Sequence, residues 1–239
     1  MEPVGRTILA AIQEQRGPLI DFLGRLVMAE SPSSNPASQI AVRQLLADEL
    51  AELDYRTLLL PGTRSGGHLY ARPAARRRDQ PLQLIVGHYD TVWPLGTLAE
   101  MPFEIDGSIV RGPGAFDMKG GLAQIVFALQ AINKLDLNLS VTPCLLLNSD
   151  EEIGSRSSRR YIEWLAKQAD RALVLEPALG AEGALKTARK GVGRYTVTVR
   201  GKAAHAGLDP ERGVSAILEL SHVIQQLFAL NDPAHAGKI

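Results

Sequence analysis

Short uninterrupted apolar runs alternate with segments that have one apolar face, and this order predicts the fold class. The runs at residues 82–87, 141–148 and 172–175 have the length and composition of buried strands. Between them, residues 119–135 and 155–167 carry apolar positions three and four apart, as amphipathic helices do. This alternation of strands and helices predicts an α/β domain with a mostly parallel central sheet.

The flanking parts of the chain have different patterns. Helical spacing extends over residues 7–29, with a break at Gly17-Pro18, and over 37–53. Two short strands are predicted at 56–60 and 68–72. After Pro177 the pattern of apolar and polar positions changes. In residues 195–200 apolar and polar side chains alternate, as in a half-exposed antiparallel strand, and residues 214–230 have the spacing of an amphipathic helix. This strand and helix together cannot bury their apolar faces alone.

Composition excludes several classes of function. The 239 residues include 26 basic and 26 acidic side chains, so the chain has no electrostatic footprint for nucleic acid or a membrane surface. The basic run at 76–78 is interpreted as a solvated loop. The N-terminus lacks the features of a signal peptide, and no apolar stretch approaches the ~20 residues of a membrane span. The one cysteine, Cys144, is expected to be buried and inert, so we expect a soluble cytoplasmic protein.

One histidine and several carboxylates follow the predicted buried strands. His88 and Asp90 follow the first, Glu151 and Glu152 the second, and Glu176 the third. In α/β sheets, functional groups collect in the crevice at the carboxyl ends of the strands. An imidazole and several carboxylates gathered there are the groups that a hydrolytic metal centre needs.

The His88–Asp90 pair and the Glu151–Glu152 pair also have ordinary structural interpretations. A histidine two residues from an aspartate is common on surfaces, although a metal-binding imidazole usually donates its other N–H to a carboxylate, as His88 could to Asp90. Glu151 and Glu152 could be acids that favour a helix N-terminus. As neighbours after a strand they cannot share a direction, so one could bind metal while the other faces a reacting water.

Asp117 precedes a predicted helix and could simply be its N-cap. That interpretation does not explain Gly112 and Gly114, which suggest a backbone held in an unusual path before Asp117.

The strongest signal is the order of five motifs along the chain. They are GHYDTV at 87–92, GPGAFDMKGG at 112–121, DEEIGS at 150–155, Glu176-Pro177, and GKAAHAG at 201–207. Together they cover nearly the whole chain and resemble the M20 family of di-zinc metallohydrolases. That family includes glutamate carboxypeptidases, acetylornithine deacetylase, succinyl-diaminopimelate desuccinylase and aminoacylases.

The resemblance implies a metal ligand at four positions. His88 and Glu176 would bind one Zn²⁺ ion, Glu152 would bind a second, and Asp117 would bridge the two. In relatives the peptide bond after the bridging aspartate is cis, which here would be Asp117–Met118. Co²⁺ or Mn²⁺ could satisfy similar ligands.

The resemblance also implies catalytic roles. Asp90 would orient His88, and Glu151 would be the general base that takes a proton from the attacking water and delivers it to the leaving amine. His205 would stabilise the developing oxyanion, often in the active site of the other subunit of a homodimer.

The implied architecture is a three-layer zinc-peptidase domain followed by the start of an inserted α+β dimerisation (lid) domain. The boundaries would be residues 1–188 and 189–239. In the family a final histidine ligand of the second zinc lies beyond the inserted domain, and His222 and His235 are interpreted as surface residues. We therefore expect an N-terminal fragment of a longer enzyme, with one complete zinc site and a second lacking its histidine.

The expected substrate is an N-acyl amino acid or a small peptide. The segment VWPLGT at 92–97 and the pair Pro102-Phe103 look most like the glutamate carboxypeptidase branch. The alternatives are an N-acyl-amino-acid deacylase or desuccinylase, or a truncated, non-catalytic chain that binds metal and dimerises.

Overall fold

The computed structural model describes residues 3–76 and 79–232, and these divide into two compact units, with the boundary between Lys186 and Thr187. Among the described residues, the first unit contains five α-helices and seven strands. The helices are α1 (Pro3–Glu14), α2 (Arg16–Met28), α3 (Gln39–Glu52), α4 (Gly120–Lys134) and α5 (Arg159–Ala166). The strands are β1 (Tyr55–Leu60), β2 (His68–Pro73), β3 (Leu82–His88), β4 (Glu104–Asp106), β5 (Ile109–Arg111), β6 (Thr142–Asn148) and β7 (Arg171–Val174).

Five of the strands form a sheet in the order β1-β2-β6-β3-β7. Strand β3 is parallel to both of its neighbours, β6 and β7, whereas β2 is antiparallel to β6 and to β1. Four of the five strands therefore point the same way, and the predicted α/β fold with a mostly parallel central sheet is confirmed. Strands β4 and β5 pair with each other in a small separate hairpin.

The two faces of the sheet are covered by different helices, because successive side chains of a strand point to opposite faces. On β6, Leu145 and Leu147 join the large core built with α2, α3 and α4. Cys144 and Leu146 on the same strand face a smaller core that includes Leu165 of α5. All seven residues of β6 are buried, which is why this run is apolar throughout.

The register of the sheet brings three strand ends to one edge. His88 at the end of β3 lies opposite Asn148 at the end of β6, and Val86 lies opposite Val174 at the end of β7. Residues that follow β3, β6 and β7 therefore emerge at the same edge of the sheet.

Three expectations about secondary structure are wrong. The helix break predicted at Gly17-Pro18 lies at Gln15 instead, and Pro18 is tolerated in the first turn of α2, where no intrahelical bond to its nitrogen is needed. Residues 195–200 form no strand, since among the described residues that segment has no neighbouring strand with which to form a ladder. Helix α5 begins at Arg159 rather than Ser155, because 156–158 form a turn.

The second unit contains a 3₁₀ turn at Pro210–Arg212 and a long helix, α6 (Ala216–Ala229). Ser215 caps α6 by accepting the N–H of Leu218. His222 is exposed on α6, whereas Arg77, Arg78 and His235 lie outside the described residues. No helix in the described part of the chain is both long and apolar enough to cross a membrane.

Candidate metal centre

His88 is the buried centre of the polar cluster at this edge of the sheet. Its side chain is 1% exposed, and Nδ1 lies 3.0 Å from the main-chain carbonyl oxygen of Asp90. A carbonyl oxygen can only accept, so Nδ1 carries the proton of that hydrogen bond. In the neutral ring this leaves the lone pair of Nε2 available for a metal. The Asp90 carboxylate is close to the same nitrogen, with Oδ1 at 3.5 Å.

Carboxylates from three separate segments surround Nε2 of His88. Its distance is 3.1 Å to Oδ1 of Asp117, 3.4 Å to Oε1 of Glu176 and 4.0 Å to Oε2 of Glu151. Two groups of side chains have their donor atoms within 4.8 Å of one another: His88 with Glu151 and Glu176, and His88 with Asp117 and Glu152. All the ligands inferred from the sequence motifs therefore lie in one cluster.

The donor set fits a zinc-type cation. Imidazole nitrogen and carboxylate oxygen are ligands of Zn²⁺, and a tetrahedral ion with bonds of about 2.0 Å holds its ligand atoms about 3.3 Å apart. The separations of 3.1 and 3.4 Å from Nε2 to Asp117 and Glu176 agree with that spacing. Each of these two carboxylates therefore lies at the separation from His88 that ligands of one ion have.

Electrostatics also favour a cation at this position. Burial raises the pKa of Glu152, and although His88 lowers it, the charges of Asp117, Asp90 and Glu151 raise it again, to about 7. Burial lowers the pKa of His88, but hydrogen bonds to Asp90 and Glu176 and the charges of both raise it to about 11. Several carboxylates facing one imidazole leave an excess of negative charge that a divalent cation would neutralise.

Asp117 lies in an irregular turn that directs its carboxylate towards His88. The Asp117–Met118 peptide bond is cis, as in the relatives that the motif resembles, and Gly114 has a φ of 71°, which only glycine adopts readily. No side chain caps the start of α4, so the N-cap interpretation of Asp117 is wrong.

The backbone of Glu151 and Glu152 is held by Asp90. The amide of Glu151 donates to Oδ1 of Asp90 and the amide of Glu152 donates to Oδ2, each at 3.2 Å. Both glutamates lie in a turn, seven or eight residues before α5 begins at Arg159, so they are not at a helix N-terminus. Asp90 therefore contacts both the imidazole and the turn that carries the two glutamates.

Ser33 is a supporting residue that reasoning from the sequence misses. The Ser33 hydroxyl donates to Oδ2 of Asp90 at 2.6 Å, and Ser31 and Pro32 pair with the backbone of residues 89–91. The only sequence signal here is a turn-rich stretch, and 57 residues separate Ser33 from Asp90. Nothing local in the sequence indicates their contact.

His205 lies in the second unit. Its main-chain N–H donates to Asp209, and its Nδ1 accepts the N–H of Gly207 at 3.1 Å. Because Nδ1 accepts, the proton of the neutral ring is on Nε2, and the residue is exposed.

Comparison with known proteins agrees with this cluster. A model of the peptidase family M20/M25/M40 matches residues 84–233, which include every residue of the candidate centre. The chain belongs to this family. Members of the family depend on metal, and the cluster around His88 supplies candidate ligands.

Two curated members of the family are similar to this chain in sequence. Carboxypeptidase G2 of Pseudomonas sp. (strain RS-16) is 31% identical over 233 residues, covering 95% of this chain and 55% of that protein. Acetylornithine deacetylase of Salmonella arizonae is 29% identical over 230 residues, covering 92% of this chain and 57% of that protein. The chain thus spans about half the length of the curated relatives it matches.

The fold has solved counterparts. Aminopeptidase PepT from Bacillus cereus superposes with a TM-score of 0.66 at 21% identity, covering 87% of this chain and 56% of that one. The likeness supports the fold assignment.

Proposed function

We propose that this protein is a zinc-dependent amidohydrolase that cleaves the amide bond of an N-acyl amino acid or small peptide. The observation that carries the proposal is the position of His88. Its Nδ1 is anchored on Asp90, and its Nε2 faces three carboxylates at distances of 3.1 to 4.0 Å.

His88, Asp117 and Glu176 would hold the first ion, and Glu152 would serve the second position together with Asp117. The bound cation would polarise the scissile carbonyl and lower the pKa of water. Asp90 keeps the His88 ring in the tautomer that binds metal, and its bonds to the Glu151 and Glu152 amides hold both glutamates at the centre.

Glu151 is the proposed general base. Its side chain is 47% exposed, so it is accessible to water and substrate, whereas its main chain is fixed on Asp90. Burial raises the pKa of Glu151, and the charges of Glu176, Asp90 and Asp117 raise it further, against the effect of His88. A base with a raised pKa is better matched to removing a proton from water near neutral pH and returning it to the leaving amine.

His205 is the proposed donor to the oxyanion, and the active form is proposed to be a homodimer formed through the inserted domain. The exposed Nε2–H of His205 is a hydrogen-bond donor of the required type. Large apolar side chains are exposed on α6, including Ile217, Leu218, Ile224 and Phe228, and a second copy would cover them.

The proposed substrate class is an N-acylated acidic amino acid, as for a glutamate carboxypeptidase. The similarity to carboxypeptidase G2 supports this choice, and that to acetylornithine deacetylase supports a deacylase as the second candidate. Val92, Phe116 and Ile153, which lie within two residues of Asp90, Asp117 and Glu152 in the sequence, are exposed and suit an apolar acyl group.

The test is hydrolysis by the zinc-loaded protein of N-acyl glutamates, acetylornithine and succinyl-diaminopimelate. We expect the highest kcat/KM for the N-acyl glutamates, and Glu151→Gln should lower kcat at least ~100-fold while Co²⁺ binding is retained. The control is Glu163→Gln, the same change at an exposed site on α5.

Each other result of this test is informative. A preference for acetylornithine or succinyl-diaminopimelate would replace the carboxypeptidase assignment with the deacylase one. Metal binding without hydrolysis of any substrate would contradict the proposal and favour a non-catalytic chain. Full activity of Glu151→Gln would remove Glu151 as the base.

A further inference from the structure

A buried polar network lies behind the turn that carries Glu151 and Glu152, and His68 is at its centre. His68 begins β2, has no exposed surface, and enters none of the roles described above. Since β2 runs antiparallel to β6, with Leu69 opposite Leu147, His68 lies beside the end of β6, where the turn begins.

The hydrogen bonds of His68 define which ring nitrogen carries the proton. The main-chain N–H of Ser149 points at Nδ1 from 3.3 Å. An amide nitrogen can only donate, so Nδ1 is the unprotonated nitrogen and Nε2 carries the proton. The contact between Nδ1 and Oδ1 of Asp150 is 4.0 Å, too long for a hydrogen bond, which agrees with an unprotonated Nδ1.

From Nε2 the network continues to the far end of the turn. Nε2 donates to the Ser157 hydroxyl at 3.0 Å, and that hydroxyl donates to Oδ2 of Asp150 at 3.0 Å. The same oxygen accepts the main-chain N–H groups of Ser157 and Ser158 at 2.7 and 3.3 Å. One imidazole thus joins Ser149, before the two glutamates, to Ser157, after them.

We propose that His68 is a positioning residue, which holds the turn between Ser149 and Ser157 so that the Glu151 and Glu152 carboxylates meet His88. Asp90 holds the Glu151 and Glu152 amides from the other side of the turn, so His68 and Asp90 act on the same segment from two directions. The effect on metal binding rests on the proposed metal centre, whereas the effect on the turn does not.

The neutral state of His68 agrees with this role. Burial lowers the pKa of His68, and the Arg160 charge acts in the same direction, whereas Asp150 and Asp90 act to raise it. A protonated ring would lose the bond from Ser149, because Nδ1 could no longer accept.

Three substitutions of His68 remove its hydrogen bonds to Ser149 and Ser157 together or one at a time. His68→Leu removes the hydrogen bonds at both ring nitrogens, including the contact of Nδ1 with the Ser149 hydroxyl at 3.3 Å. His68→Gln keeps a donor at the position of Nε2, and His68→Asn keeps an acceptor at the position of Nδ1. Tyr70→Phe is the matched control, because it removes a hydroxyl from the same strand, and that hydroxyl contacts Cys144 rather than the turn.

The first measurement uses the metal-free protein. A long-range ¹H–¹⁵N spectrum should show His68 with its proton on Nε2, and amide hydrogen exchange at Glu151 and Glu152 should be faster in His68→Leu than in the wild type. The second is a Co²⁺ titration followed by visible absorption. His68→Leu should bind at least ~10-fold more weakly, Gln and Asn should lie between it and the wild type, and Tyr70→Phe should match the wild type.

The proposal is overturned by a proton on Nδ1. It is equally overturned if His68→Leu melts at a lower temperature but keeps wild-type Co²⁺ affinity and wild-type exchange at Glu151 and Glu152. If His68→Leu does not fold, Gln and Asn variants that both match the wild type would overturn it. Failure of the wild type to bind Co²⁺ would contradict the proposed metal centre instead, and the tautomer and the exchange rates would still test the positioning role.

Discussion

Among single residues, Asp90 connects several parts of the centre. It is completely buried, yet its carboxylate accepts bonds from the Ser33 hydroxyl and from two amides, and its carbonyl accepts from His88. A buried carboxylate is tolerated where such donors replace water. The orientation of the imidazole and the position of the glutamate turn thus depend on the same residue, through its main-chain carbonyl and its carboxylate respectively.

Asp90→Asn should weaken metal binding. The amide of asparagine has one acceptor oxygen, so its NH₂ group would face the N–H of Glu151 or Glu152. We expect Co²⁺ affinity to fall ~10–100-fold, as is typical for partners of metal ligands. Isothermal titration would measure this. Ser33→Ala removes only one of the three donors and should have a smaller effect, and wild-type affinity in Asp90→Asn would refute the role.

His68 should make stability depend on pH. Burial lowers its pKa in the folded chain, whereas the unfolded chain has the ordinary value of about 6.5. The unfolded state therefore binds the proton more readily, so the contribution of neutral His68 is complete above about pH 6.5 and is lost as the pH falls below it. Urea unfolding of the metal-free protein should be measured at about pH 7.5 and about pH 5. Between these pH values the free energy of unfolding should fall less in His68→Gln than in the wild type.

The other titrating groups are common to both proteins and cancel in this difference. Equal pH dependence of the free energy of unfolding in the two proteins would mean that His68 is not neutral and buried in the way described.

The individual elements differ in how well their sequences predict them. The apolar runs predict strands at 82–87 and 141–148, and the structure has Leu82–His88 and Thr142–Asn148. Both strands are buried, so their composition alone identifies them. The hairpin of β4 and β5 is exposed and three residues long on each side, and it has no such signal. The alternating segment at 195–200 has no partner strand within residues 3–76 and 79–232, and a local pattern cannot reveal this.

The residues of the candidate site also differ in how well the sequence predicts them. Its ligands come directly after buried strands or within a glycine-rich motif, so the sequence predicts where they gather. The supporting residues Ser33 and His68 belong to distant segments, 57 residues from Asp90 and 81 residues from Ser149. Their contacts depend on how loops and an antiparallel strand return to the same edge, which pattern analysis does not specify.

Helix α4 approaches the segment that carries Glu176 so closely that only glycine fits. A Cβ atom on Gly121 would lie 2.0 Å from the carbonyl oxygen of Leu175. Gly121→Ala should lower the free energy of unfolding by roughly 1–3 kcal/mol and also weaken Co²⁺ binding, because Leu175 and Glu176 must move. Gly17→Ala in α2 is the control, since nothing lies within 4 Å of its Cβ position. Denaturant titration would measure stability, and wild-type Co²⁺ affinity in Gly121→Ala would contradict the expectation.

For the whole molecule, the shared use of His88 limits how much metal binds. Both candidate groups include His88, and its Nδ1 is already bonded to Asp90. The single lone pair of Nε2 can serve only one ion. We expect one tightly bound Co²⁺ or Zn²⁺ per chain, measured by elemental analysis after dialysis.

The same ion should stabilise the fold by mass action, by about 2.7 kcal/mol at a free concentration of 100 times Kd. His88→Ala should bind no ion tightly and show no such stabilisation. Two ions bound with equal affinity by the wild-type chain would refute the expectation of one tightly bound ion per chain.

The bonds from Asp90 to the turn have a practical consequence for redesign. They end on the amide nitrogens of residues 151 and 152, which every amino acid except proline possesses. Replacing Glu152 by histidine, aspartate or cysteine therefore alters the donor offered to the ion and leaves these bonds in place, whereas the same change at Glu151 would remove the proposed general base. Position 152 is accordingly the place at which the choice of metal could be engineered without rebuilding the scaffold.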